Sequence, residues 1–257
     1  MVLKIVEYCF TNEAKDAPKA FEIGILALIP KDITSYRGIV LLETIYKLAS
    51  TIVTSRLTKG IEFHDAVHGF RAGRGTGTAI IEFKLLTQYT KNCGVENLYV
   101  VFLDLQKAYY TLDRKRTLEI LEGYGGGPNV RAFLKKIWDG DTLVSKQAGF
   151  YGEPFPVGSG VRCGDIDSPS IFNIVVDAII RDIEACRTEE TSTTTQLFYA
   201  DDGVITEGYI QRRRDTIMGY AMTTKIYERC KSTRNIASKN LLWWEANYYS
   251  DDAAEAL

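Results

Sequence analysis

Apolar and polar positions divide the chain into short, alternating elements. Ile23 to Ile29 is an apolar run closed by Pro30 and reads as a buried strand. Lys31 and a polar turn lead to Arg37. From Ile39 to Lys59 the period is helical, with Leu41, Ile45, Leu48, Ile52 and Val53 on one face and Gly60 at the C-cap. Thr78 is placed to cap a helix over 79–92. Leu98 to Leu105 is apolar up to Asp104, the pattern of a central strand covered on both faces. Asp113 caps a helix over 114–123, Gly125 to Pro128 breaks it, and a second helix follows over 129–138. Residues 142–162 read as a hairpin with turns at Gly149, Gly152 and Pro154. Asp167-Ser168-Pro169 starts a helix over 169–186 with a stripe of Phe172, Val175, Val176, Ile179 and Ile183. Residues 188–195 form a polar linker. The run Leu197 to Ile205, with Asp201-Asp202-Gly203 at its middle, then reads as a two-stranded turn. Strands and helices do not alternate strictly, so the pattern predicts an α+β domain with an antiparallel sheet rather than a doubly wound fold.

Composition excludes little and redirects attention to local features. The 257 residues are 46% hydrophobic and 25% charged, ordinary for a globular chain. No run has the length of a membrane span, and Met1 to Ile5 lacks a secretory core, so an intracellular, soluble protein with no membrane partner is expected. Five cysteines with no Cys-x-x-Cys pair suggest neither a disulfide frame nor a zinc site. A net charge of −2 is neutral on nucleic acid, because phosphates are met by local basic patches. Such patches occur in the Gly-rich loop His68 to Gly77 and at Arg212-Arg213-Arg214. The last is as readily a solvated loop. His64 and His68 have no metal-ligand neighbours in sequence.

The chemistry-bearing residues are carboxylates. Asp201 and Asp202 stand together, and Asp104 ends a buried strand about a hundred residues earlier. Like charges about 4 Å apart repel by roughly 4 kcal/mol at a protein-like effective dielectric. A chain that keeps such a cluster calls for a cation, and all-oxygen ligands suit Mg²⁺. If both elements share one sheet, their three carboxylates can hold two ions for in-line phosphoryl transfer.

Four boxes now resemble one family. Phe198-Tyr199-Ala200-Asp201-Asp202 resembles the catalytic box of reverse transcriptases. Phe102 to Tyr110 is similar to their first Asp-bearing strand. Gly160 to Pro169 with Phe172-Asn173 resembles the box between them. Leu28 to Lys31, Tyr36-Arg37 and Gly69 to Arg74 resemble the fingers of the non-LTR retrotransposon and group II intron branch. The resemblance covers about residues 23–207, in family order.

It implies a right-hand polymerase: fingers over 1–97, palm over 98–208 with 114–160 partly returning to the fingers, and an unmatched segment over 209–257 without a complete thumb. It implies that Asp104, Asp201 and Asp202 are the catalytic, metal-binding carboxylates, with the Leu105 carbonyl as a further metal contact. The cofactor would be two Mg²⁺, with Mn²⁺ as an alternative. Lys31, Arg37, Tyr109, Cys163 and Gly164 would meet the incoming dNTP. Tyr109 would be the ring that excludes a 2′-hydroxyl, and Gly164 would let the backbone pass the nascent pair. Arg71, Arg74, Ser168 and Tyr199 would meet an RNA template and its DNA or RNA primer. Cys163 departs from the family's Gln, and Gly38 from its Pro. Beyond about Tyr209 no palm element matches, and Lys225, Lys231 and Lys239 are the candidates for a lysine near pyrophosphate. An RNA-templated RNA polymerase and a non-polymerising nucleic-acid binder are the alternatives.

Overall fold

A computed structural model describes residues 18–31, 33, 35–92, 97–105, 107–147, 149–185, 195–207 and 242–247. The arginines at 212–214, the lysines at 225, 231 and 239 and the 188–194 linker lie outside them. The chain divides into two compact units. The first is Met1–Glu62 with Lys107–Val175, and the second is Phe63–Gln106 with Val176–Leu257.

The first unit holds a mixed sheet. Strand β1 (Ile23–Pro30) follows a four-residue helix α1 (Lys19–Glu22) and pairs antiparallel with β2 (Tyr36–Leu41). Its other edge pairs in parallel with β4 (Thr142–Gln147), which carries β5 (Phe150–Tyr151) and β6 (Phe155–Pro156). The expected single hairpin over 142–162 is thus one strand with two short returns.

The helix expected from Ile39 begins later. Residues 36–41 are strand, and α2 spans Thr44–Thr58, with the Glu43 carboxylate accepting from the amides of Ile45 at 2.6 Å and Tyr46 at 3.0 Å. A short apolar run fits both periods, and here the partner strand β1 decides it. The buried stripe is also displaced, to Tyr46, Ala49, Val53 and Leu57, while Leu41 and Leu48 are exposed. Tyr46 anchors this core, edge-on to Phe21 at 5.5 Å and stacked on Phe133 at 6.5 Å. Phe133 lies on α6 (Pro128–Asp139), which follows α4 (Ala108–Thr111) and α5 (Arg114–Gly123). As expected, Asp113 caps α5, accepting from the Arg116 amide at 2.9 Å.

The second unit holds an antiparallel sheet in the order β7-β8-β3-β9, formed by Thr195–Tyr199, Asp202–Glu207, Asn97–Asp104 and Leu242–Asn247. Helix α3 (Thr76–Asn92) belongs to this unit, with Phe83 edge-on to Phe102 at 6.3 Å. Thr78 sits inside its first turn rather than before it.

Helix α7 (Ser168–Ala185) gives its first half to one unit and its second to the other. It starts where Asp167-Ser168-Pro169 predicts, and the Asp167 carbonyl accepts from the Ile171 amide at 2.9 Å. Instead of one stripe, every residue from Ile171 to Ala178 is buried, Asn173 and Asp177 included. A helix apolar on most faces is a core element. Among the described residues no helix is long and apolar enough to cross a membrane.

Candidate active site

Strand β3 runs through the interior of its sheet, with Leu98, Val100 and Val101 buried, and Asp104 is its last residue. The β7–β8 hairpin turns at Ala200–Asp201, so Asp202 opens β8. This turn lies two residues before the Asp-Gly expected from sequence, and Ala200 takes the left-handed conformation (φ 54°) that closes it. Asp104 is the direct antiparallel partner of Asp202, and Leu103 of Gly203. Such partners have Cα atoms about 5 Å apart and side chains on the same face. The Leu105 amide donates to the Asp201 carbonyl at 3.2 Å, tying the turn to the end of β3. Three carboxylates from two segments of the chain therefore meet at one end of the two central strands.

Their electrostatics show the contact. Partial desolvation of the largely exposed Asp202 carboxyl raises it above its ordinary value, and the neighbouring charges of Asp201 and Asp104 raise it further. Among the described residues no Lys or Arg pairs with any of the three. Nor, among the described residues, is any group of three or more His, Cys, Asp or Glu arranged to hold a metal ion alone. Mg²⁺ is usually bound by one or two carboxylates together with substrate phosphates rather than by an all-protein cage. The donor set, oxygen-only and repelling itself, fits that mode.

The other expected residues fall into two groups. In the first unit Lys31 is exposed at the end of β1, its amide donating to the Ser35 carbonyl at 2.9 Å, and Arg37 is exposed on β2 opposite Ile29. Tyr109 on α4 lies nearly parallel to Phe172, 4.9 Å between ring centres. Cys163 is half-buried and its carbonyl accepts from the Val40 amide at 2.7 Å. Gly164 has φ 117°, and a Cβ there would lie 2.6 Å from the Val40 carbonyl, so close passage of β2 by itself requires glycine. Ser168, expected to meet nucleic acid, is 1% exposed, and its buried hydroxyl has no hydrogen-bond partner among the described residues.

In the second unit Arg71 donates to the His64 carbonyl at 2.9 Å. Arg74 donates to the Asp65 carbonyl and carboxylate, both at 2.5 Å. Both guanidiniums thus serve the loop that carries them. Tyr199 stacks on Phe70 at 6.4 Å.

One residue was not singled out from sequence. Tyr110 donates its hydroxyl to the Gly38 carbonyl at 2.8 Å. Burial first, then the Cys163 thiol, push it up to about 12, against the pull of Arg37. An aromatic pair following Asp104 was the signal, but the partners of each ring were not in the letters.

This fold and site define a class. The family model for reverse transcriptase (RNA-dependent DNA polymerase) matches residues 29–231, and the chain belongs to that family. Its curated relatives place it in the non-LTR retrotransposon branch. It is 23% identical over 195 residues to the retrovirus-related Pol polyprotein of the type-2 retrotransposable element R2DM of Drosophila melanogaster, covering 73% of this chain and 18% of that protein. It is 26% identical over 165 residues to the corresponding R2 polyprotein of Popillia japonica, covering 62% and 23%. The chain thus spans less than a quarter of these relatives. Among solved structures, the telomerase of Candida tropicalis with a TWJ fragment of telomeric RNA superposes with a TM-score of 0.65 at 14% identity, over 90% of this chain and 42% of that one. The telomerase of Candida albicans gives 0.62 at 12%, over 90% and 43%. At these identities the structures speak for the fold alone.

Proposed function

We propose that the chain is the core of an RNA-directed DNA polymerase that extends a primer paired to an RNA template with dNTPs. The observation that carries this is Asp104 facing Asp202, with Asp201 beside it and no cation from the described chain. Asp104, Asp201 and Asp202 would hold two Mg²⁺, or Mn²⁺ in their place, with the Leu105 carbonyl as a further contact. Bound there, the ions supply an activated attacking hydroxyl and neutralise the leaving pyrophosphate. Lys31 and Arg37 would grip the triphosphate, the guanidinium in bidentate fashion. Tyr109, held flat by Phe172, would bar a 2′-hydroxyl. Tyr110 would hold the backbone at Gly38, next to Arg37. Positioning and charge neutralisation then account for most of the rate.

The test is primer extension on an RNA template with dNTPs and Mg²⁺. Asp201→Asn is expected to lower the rate at least about 100-fold without lowering the melting temperature. An undiminished rate overturns the reading.

A second reading, a palm that binds nucleic acid without polymerising, is favoured by Cys163, whose thiol is a poor hydrogen-bond partner for a nucleotide. Salt-sensitive template binding with no extension in Mg²⁺ or Mn²⁺, before and after Cys163→Gln, would establish it.

A further inference from the structure

The turn that carries Asp201 is gripped from its outer side by the loop from His64 to Arg74. Strand β7 is an edge strand of its sheet. Its Phe198 amide donates to the Ala66 carbonyl at 2.7 Å, and the His68 amide donates to the Phe198 carbonyl at 2.8 Å, making a parallel bridge between Val67 and Phe198. The chain then passes the turn at Gly69. A Cβ on Gly69 would stand 2.6 Å from the Ala200 nitrogen and 3.4 Å from the Tyr199 carbonyl carbon. No side chain fits there. Phe70 follows with φ 47° and lays its ring on Tyr199. Phe70 and Ala200 are two of the three non-glycine residues with positive φ among those described. Such strain persists only where surrounding structure enforces it.

The loop itself is fixed. The His64 amide donates to Asp177 at 2.5 Å and its Nε2 meets Glu184 at 3.0 Å. Arg71 and Arg74 hold the carbonyls of His64 and Asp65. His68, 1% exposed, meets Thr78 at 3.0 Å and Glu82 at 3.2 Å on the first turns of α3. On the inner side, Leu105 holds the Asp201 carbonyl. The turn backbone is therefore clamped between Gly69 and Leu105.

We propose that the loop from His64 to Arg74 is a brace, with Gly69 and Phe70 as positioning residues that keep the Asp201 turn against Asp104 and so preset the ligands for a divalent cation. Mutual repulsion of three carboxylates pushes the turn outward, and the brace opposes that push. The proposal rests on the polymerase reading for its consequence in catalysis, but its mechanical part stands apart from it.

The test uses the whole chain and the variants Gly69→Ala, Phe70→Leu and Gly69→Ala/Ala200→Gly. In Gly69→Ala the turn is displaced. Exchange of the Leu105 amide accelerates at least about tenfold, and Mn²⁺ binding read by electron paramagnetic resonance weakens by a similar factor. The rate of primer extension falls about 100-fold, as a displacement near 1 Å can produce, with the KM for dNTP within about twofold. The Mg²⁺ concentration for half-maximal rate rises. Phe70→Leu gives smaller changes in the same direction, and Ala200→Gly restores part of the loss by freeing the turn backbone. Unchanged exchange at Leu105 and unchanged Mn²⁺ affinity in folded Gly69→Ala overturn the brace, whatever the activity. If the unaltered chain fails to extend a primer, the polymerase reading falls, and exchange at Leu105 still decides the brace.

Discussion

Each unit keeps three carboxylates in close company, and the two sets are treated differently. In the first unit Asp141, Asp165 and Asp167 are all buried. Asp141 lies between two guanidiniums, bonded to Arg162 at 2.8 Å and to Arg114. Asp165 accepts from the Tyr46 hydroxyl, from Ser50 at 2.6 Å and from the Ile166 amide at 2.7 Å. Burial, and then the charge of Asp165, push the Asp167 carboxyl well above its ordinary value. Arg162 further bonds the carbonyls of Phe21 at 2.8 Å and Glu22 at 2.5 Å. In the second unit Asp104 and Asp202 are exposed, and all three acids are without cationic partners among the described residues. A buried acid with all its bonds made holds a fold together. An exposed cluster that repels itself stores electrostatic energy that a bound cation can release.

Exchanging the two kinds of acid for neutral groups should break the comparison cleanly. Asp104→Asn is expected to cost at least about 100-fold in primer extension and nothing in stability, since it removes a repulsion. Steady-state extension and thermal melting measured together check it. A variant that loses both would place Asp104 among the structural acids. Asp141→Ala does the reverse. It leaves Arg114 and Arg162 buried and unpaired, a loss of about 3–5 kcal/mol. Urea unfolding reads this as a lower midpoint with an unchanged slope. A loss under about 1 kcal/mol would show that solvent reaches the pair.

The sequence was most legible where local chemistry sufficed. The Asp113 cap, the Ser168 helix start and the β7–β8 hairpin are set by residues a few positions apart, and all were visible. The convergence of Asp104 on Asp202 was visible only as a condition on two strands being neighbours. What stayed hidden depends on distant partners. Residues 36–41 carry a pattern that fits helix or strand, and β1 settles it. That Arg71 and Arg74 also bond the carbonyls of His64 and Asp65 was not in the letters. Asp165 was not singled out from sequence, and its partners Tyr46 and Ser50 lie more than a hundred residues upstream. Gly69 gave no signal of its need, because that need is set by the backbone of Ala200.

The first unit also offers shape to the proposed chemistry, and Tyr109 is the place to sharpen the comparison. Its ring lies on Phe172, which fixes the ring plane. On the proposed role of its ring, Tyr109→Ala is expected to raise rNTP use relative to dNTP by roughly tenfold or more. Competition between the two nucleotides in one extension assay measures it. An unaltered ratio would leave Tyr109 as core packing and reopen an RNA-polymerising activity.

The smallest effect concerns pH. The Asp202 carboxyl is raised above 3.8 in the fold. Between its unfolded and folded values the native state therefore binds more protons than the unfolded chain. Stability is full below the unfolded value and is lost as pH rises through the folded one. Asp165 and Asp167 shift in the same direction, so a pH profile alone does not separate the two units. A divalent cation does. Mg²⁺ favours the ionised form of the exposed acids and has no access to the buried pair. Added Mg²⁺ should raise the melting temperature at pH 7 by on the order of a degree or two, screened as exposed charges are, and leave it unchanged near pH 3. Asp202→Asn should remove most of the Mg²⁺ dependence while keeping the part of the profile that belongs to Asp165 and Asp167. A Mg²⁺ effect of equal size in Asp202→Asn would mean that the ion sits elsewhere.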